Sequence, residues 1–209
     1  MSITNKGTLR TAVLAELVWD TSLDTRVDEW TDRLTASLNR DLRVKDMLTT
    51  ATGTLTAGTA TLAQPSDFLS VESFYITTGG ESIMQPFVTP PALEQPVASD
   101  ASGRPTHIAV IGSNFKLKPI PDSAYNYTLL YYQNVPVLTT DTDTNWVLTN
   151  HPDAYLYGVL VFGGIYLNDS RVQEWSTLFT RALQGIRGES DRAMLPPGNL
   201  QVTLEATVT

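Results

Sequence analysis

Across residues 153–167 the chain carries apolar side chains on nearly every face of a helix, including Tyr155, Leu156, Val159, Leu160, Phe162 and Tyr166. Such a helix is stable only when it is buried on most sides, so the rest of the chain has to supply surfaces that cover it. Pro152 suits its first turn, where a missing N–H would be unpaired in any case, and His151 or Asn150 can act as the cap. Gly163-Gly164 falls inside it, and glycine in a helix interior costs about 1 kcal/mol relative to alanine. A close helix contact at that point is the expected compensation.

Three other stretches have the stripe of an amphipathic helix. Residues 8–19 carry Leu9, Val13, Leu14, Leu17 and Val18. After Asp24 or Thr25 as cap, Val27, Trp30, Leu34, Leu38 and Leu42 recur at spacings of three and four, with an end near residues 45–48. Beyond Asp169 or Ser170, Val172, Trp175, Phe179, Ala182, Leu183 and Ile186 make one stripe that fades at Gly185 and Gly188.

Between the helical ends the texture changes. Residues 54–62 are threonine-rich and alternate around Gly58, which predicts a β-hairpin. Further strands are expected at 68–77, 82–88, 106–112, 114–119 and 125–134, divided by Gly79-Gly80, Pro90-Pro91, Gly103 and Pro121-Asp122. One short helical turn fits within 89–98. The fold class is therefore α+β: a bundle of about four helices, a β-rich insertion between the second and third long helices, and an extended C-terminal arm. Residues 1–48 and 151–191 form the helical core, 49–150 the inserted subdomain and 192–209 the arm. In the arm Pro196-Pro197-Gly198 precedes Leu200, Val202 and Leu204 in alternation with polar residues. A lone terminal strand cannot bury its own face, so it adds to a sheet or docks on a partner.

Catalytic patterns find little support. His107 falls at a strand start and His151 at a helix cap, neither in a metal or triad spacing. Asp141-Thr142-Asp143-Thr144-Asn145 imitates the start of a calcium loop, but Trp146 stands where glycine is needed and Pro152 where glutamate is needed. A plain acidic turn is the better reading. No phosphate-binding glycine loop or nucleophile elbow is present. Trp19, Trp30 and Trp175 lie on or beside apolar stripes and read as core, while Trp146 stays outside that pattern. Neither an enzyme nor a cofactor site is expected.

The net charge of −8 disfavours binding to nucleic acid by phosphate neutralisation. With no cysteine there is no disulfide framework or thiolate site, which suits a reducing compartment. Met1-Ser2-Ile3-Thr4-Asn5-Lys6 lacks a signal-peptide core, and no apolar run reaches the ~18 residues of a membrane span.

Several fragments in fixed order carry a family resemblance. They are Gln64-Pro65-Ser66-Asp67-Phe68-Leu69, Phe115-Lys116-Leu117-Lys118-Pro119 with Pro121-Asp122, Tyr131-Tyr132, and Thr144-Asn145-Trp146 followed by Pro152-Asp153-Ala154-Tyr155-Leu156-Tyr157-Gly158. Together they resemble the head-to-tail adaptor proteins of tailed bacteriophages, especially the short-tailed ones. The resemblance implies a structural virion protein at the head–tail junction, assembled in the host cytoplasm. It implies a dodecameric ring between the portal and the tail nozzle or tail tube, with DNA passing through the channel unbound and no membrane contact. The arm would hold the portal through Leu195, Leu200, Val202 and Leu204. A carbohydrate-binding or capsid-decorating β module, or a stopper or nozzle protein one layer below the adaptor, stands as the alternative.

Overall fold

The first helix shows how local sequence sets an element. The Asn5 side chain accepts the Thr8 N–H at 2.9 Å and Thr8 Oγ1 accepts the Asn5 N–H at 3.0 Å, a reciprocal cap that starts α1 (Lys6–Glu16). A computed structural model describes residues 2–17, 21–94 and 102–194. Among them α1 is followed by α2 (Asp24–Asp41), α3 (Pro90–Glu94), α4 (Trp146–Asn150), α5 (Pro152–Leu167) and α6 (Val172–Met194). The strands are β1 (Leu48–Leu55), β2 (Thr61–Ala63), β3 (Phe68–Thr78), β4 (Glu81–Met84), β5 (His107–Ile111), β6 (Asn114–Lys118) and β7 (Tyr125–Gln133). The fold is thus mixed α+β with antiparallel sheets, and six α-helices are described where about four were expected. The added two, α3 and α4, are five residues each; α3 falls in the short helical turn expected within 89–98, and α4 lacks the long stripe by which a sequence announces a helix.

The chain divides into two compact units, the first comprising residues 1–34, 44–46 and 137–209. Its core gathers Leu9, Val13 and Leu17 with Trp30 and Leu34, and Val147, Tyr155, Val159, Trp175 and Ile186 from the later helices. The glycines of α5 are where neighbours come closest. A Cβ on Gly158 would lie 2.6 Å from Leu34 Cδ1, one on Gly163 would lie 2.6 Å from Leu17 Cδ1 and 2.9 Å from the Trp30 ring, and one on Gly164 would lie 2.6 Å from Val172 Cγ2 and 2.7 Å from the Trp175 ring. The close contact expected at Gly163-Gly164 is present.

Two expectations about these helices are corrected. Helix α5 is not buried to its end: Ile165, Tyr166 and Leu167 are 64%, 55% and 40% exposed, although Tyr166 keeps its ring 5.7 Å from Trp30. Helix α6 does not fade at Gly185 but runs to Met194. Ile186 is buried and Ser190 Oγ accepts the Lys45 N–H at 2.8 Å, so contacts on one face override two poor helix formers. Between α5 and α6, Asn168 takes left-handed backbone (φ 55°), a conformation asparagine tolerates. Trp19 lies outside the described residues, as do Leu195, Leu200, Val202 and Leu204.

The second unit comprises residues 35–43 and 47–136. One sheet has the order β1-β7-β3-β4 and the other β2-β6-β5. The expected 54–62 hairpin is therefore corrected, because β1 pairs with β7 while β2 pairs with β6. Gly58 does turn the chain (φ 76°), but its N–H bonds to Pro121 O and Ala60 O accepts the Leu117 N–H. Partners outside the turn pull its two arms into different sheets.

Leu55, Phe74, Ile76 and Leu129 from the first sheet and Ile108, Phe115 and Leu117 from the second form one cluster, each no more than 2% exposed. Phe68 packs edge-on against Phe115 at 5.3 Å and Tyr127 stacks on Phe74 at 5.3 Å. Residues 35–43 belong here because Asn39 bonds both backbone groups of Val135, accepting at 2.7 Å and donating at 3.2 Å, while Arg43 Nε donates to Ser70 Oγ at 2.9 Å.

Candidate functional site

A charged cluster of the first unit is built on the acidic turn at residues 139–143. Asp143 turns its carboxylate back on its own loop, accepting from the backbone N–H groups of Thr139 and Thr140 (both 2.8 Å) and from both hydroxyls. Those bonds, the Thr140 hydroxyl first, hold its carboxyl well below the usual carboxylate range. Asp141 faces the other way and accepts from Arg10 Nη2 at 2.7 Å, which lowers the Asp141 carboxyl and raises the Arg10 guanidinium. Arg10 also forks onto Asp28 at 2.9 and 3.0 Å, and the buried Lys6 ammonium lies 3.5 Å from the same carboxylate.

Backbone bonds close the assembly. The N–H groups of Lys6 and Gly7, both unsatisfied by their own helix, donate to Asp143 O at 3.0 Å and Asp141 O at 2.9 Å. The turn that imitates a calcium loop is therefore a clamp on the start of α1. Its acidic groups are committed to Arg10 and to threonine donors. No single-sequence spacing links residue 10 to residue 141, which is why sequence reasoning reached the turn and missed its partner.

His107 opens β5 and is exposed, with Nδ1 3.0 Å from Thr106 Oγ1. His151 joins α4 to α5: its N–H donates to Val147 O at 2.7 Å, its ring meets Trp146 edge-on, and Nε2 lies 3.8 Å from Glu189. Asn145 caps α4 through a 3.0 Å bond from the Leu148 N–H and donates to the Tyr155 hydroxyl at 2.8 Å. The run from Asn145 to Tyr155 thus serves as a hydrogen-bonded joint between two helices. The two histidines lie on different units.

In the second unit Tyr131 donates to Asp67 at 2.9 Å, and burial followed by that bond pushes its hydroxyl up to about 12. A cavity of about 290 Å³ lies between α3 and β5, walled by Val88, Ala92, Leu93 and Pro119 and rimmed by Thr106, His107 and Lys118. Glu94 pairs with Lys116 and lies 3.5 Å from Lys118, tying α3 to β6 and lowering the Glu94 carboxyl. The outer face of the first sheet is hydroxyl-rich, with Thr54 bonded to Asn126 at 2.9 Å and Thr77 to Ser82 at 3.1 Å, and it carries the Glu72 carboxylate against Tyr132. Among the described residues no group of histidine and carboxylate side chains has the arrangement of a metal site, and no helix is long and apolar enough to cross a membrane.

The features that remain are surfaces: a hydroxyl-rich sheet face, the apolar end of α5, and a strand edge formed by β1. A family model described as SU10 adaptor protein matches residues 4–201. No curated protein matches the chain.

Proposed function

Because the chain belongs to the SU10 adaptor protein family, we propose that it is the structural subunit of a phage head-to-tail adaptor ring. The observation that carries this reading is the extent of the match, which takes in both the helical and the β-rich segments. As a phage adaptor the chain is a virion component whose work is binding. In this reading α1, α2, α5 and α6 form the bundle of each subunit, residues 49–150 form a β-rich insertion, and twelve copies close head to tail beneath the portal. The ring extends the DNA channel and offers the tail nozzle or tail tube its docking surface. Of the expected 192–209 arm, residues 192–194 belong to α6, and residues 195–209 engage the portal with Leu195, Leu200, Val202 and Leu204 as apolar contacts; at about 3.3 Å per residue such an arm reaches about 50 Å.

The surfaces described above support this role. Ile165, Tyr166 and Leu167 give neighbouring copies an apolar contact, and the acidic surface lets DNA pass without capture. The test is electron microscopy of the purified chain mixed with tail-less, portal-bearing heads. A ring capping one vertex is the expected image; copies scattered over the capsid, or no attachment, would remove the adaptor reading. A gel-shift titration supplies a second readout, in which the free chain should leave duplex DNA unretarded at physiological salt.

A further inference from the structure

Two sheets present four edge strands, and edges are ordinarily blunted by shortness, charge, proline or a covering segment. Strand β4 has four residues and carries Glu81, and β2 has three residues. Strand β5 is covered by residues 86–88: Val88 N–H bonds to Ile108 O and Ile108 N–H to Pro86 O. Strand β1 has none of these protections. Its eight residues, Leu-Thr-Thr-Ala-Thr-Gly-Thr-Leu, hold no charge and no proline, and among the described strands it pairs with β7 alone. An unguarded edge of that length is a template for an incoming strand.

The faces of β1 define what would fit. The register with β7 places Ala51, Gly53 and Leu55 on the side of the buried Leu129 and the half-buried Tyr127, and Thr50, Thr52 and Thr54 on the exposed side. Residues 200–208 read Leu-Gln-Val-Thr-Leu-Glu-Ala-Thr-Val, apolar at every even position and polar at every odd one, with Glu205 their one charge. Laid beside β1, the even positions continue the apolar face and the odd positions continue the threonine face, where cross-strand threonine pairs are favourable. A slip of one residue would turn Leu200, Val202 and Leu204 to solvent, so the pattern sets the register. The lengths also agree, nine residues against eight.

We propose that residues 200–208 of one copy add as a strand to the β1 edge of a neighbouring copy. The inference rests on the ring reading, which supplies the neighbour. Leu200, Val202 and Leu204 cannot face β1 and a portal together. The arm therefore exchanges between two receivers, linking copies before attachment and being drawn off when a portal is met.

The chain has no cysteine, so engineered thiols report pairing without background. Full-length Thr52→Cys is mixed under mild oxidation with Thr203→Cys or Thr207→Cys, and separately with Val202→Cys, whose side chain would sit on the opposite face. Thr61→Cys, on the edge of β2, is the positional control. Disulfide-linked heterodimers should form several-fold faster for Thr52→Cys with an odd-position partner than for either control; equal rates would overturn the proposal. Amide exchange in β1 of the unmodified protein gives a second measurement. It should be slower in the full chain than in a chain ending at Met194, and identical exchange would count against the pairing. Imaging the unmodified chain on heads separates the two readings: rings from a chain whose cysteine variants form no disulfide remove the strand pairing alone, and disulfide pairing by a chain that forms no rings removes the adaptor role alone.

Discussion

Replacing Gly164 by alanine tests whether the α5–α6 contact is set by backbone approach. Alanine by itself favours the helix by about 1 kcal/mol. At this site, however, the new Cβ would lie 2.6 Å from Val172 Cγ2 and 2.7 Å from a ring carbon of Trp175. Neither neighbour yields easily, since valine is stiff about χ1 and Trp175 is only 5% exposed. Overpacking of this kind costs about 1–3 kcal/mol, which offsets or exceeds the helical gain and leaves Gly164→Ala between neutral and about 2 kcal/mol less stable. Gly185→Ala is the matched control, an exposed helical glycine whose added Cβ meets nothing within 4 Å, and it should gain up to about 1 kcal/mol. The two variants should therefore differ by about 1–3 kcal/mol, or about 2–12 °C in melting temperature for a chain of this size. Thermal melts followed by the helical circular dichroism signal measure the gap. Equal melting temperatures, or a stabilised Gly164→Ala, would mean that α5 and α6 are not held at this distance.

Three other outcomes follow from the structure. The Tyr131 hydroxyl titrates near 12 in the fold against an ordinary value near 10, so the neutral form is favoured by folding; its contribution is complete below about pH 10 and lost as pH rises through about 12. Alkaline unfolding of Tyr131→Phe should lack that component, and a Tyr131 ultraviolet titration midpoint near 10 would contradict the burial and the Asp67 bond. Ending the chain after Met194 should leave the melting temperature nearly unchanged while abolishing attachment to portal-bearing heads; unfolding of the shortened chain would place the arm in the subunit's own core. Deleting residues 47–136 with a short linker, which spares the clamp turn and the buried Val147, should preserve a helical, cooperatively melting remainder, and loss of both properties would refute the nested organisation.

What the sequence disclosed tracks how local the causes are. The long helices followed from stripes such as Val27, Trp30 and Leu34, and most strands from alternation between glycine and proline turns, because both patterns are written within ten or so residues. The 54–62 turn was visible at Gly58, yet the destination of its arms depends on Pro121 and Leu117, which pair from sixty residues away. The run of α6 past Gly185 likewise depends on Ser190 meeting Lys45. The Arg10–Asp141 clamp had only a plain acidic turn to announce it. The candidate arm was legible as a pattern of alternation, whereas the bare edge of β1 was not, since edge position is a property of the assembled sheet.

The clamp on α1 also bears on the order of events during synthesis. The first turn of α1 has its free N–H groups satisfied by Asp141 and Asp143, residues made more than 130 positions later. A nascent chain therefore carries an unfinished N-terminal helix throughout translation of the β segment, while the stretch 47–136 contains nearly all of its own sheet partners and can fold as it emerges. Closing such distant contacts last places the helical unit among structures of high contact order, for which the slow step is the search between distant segments. Arg10 is then a residue on which the rate of maturation depends, and its removal would lengthen the interval in which the apolar face of α1 stands open to other chains.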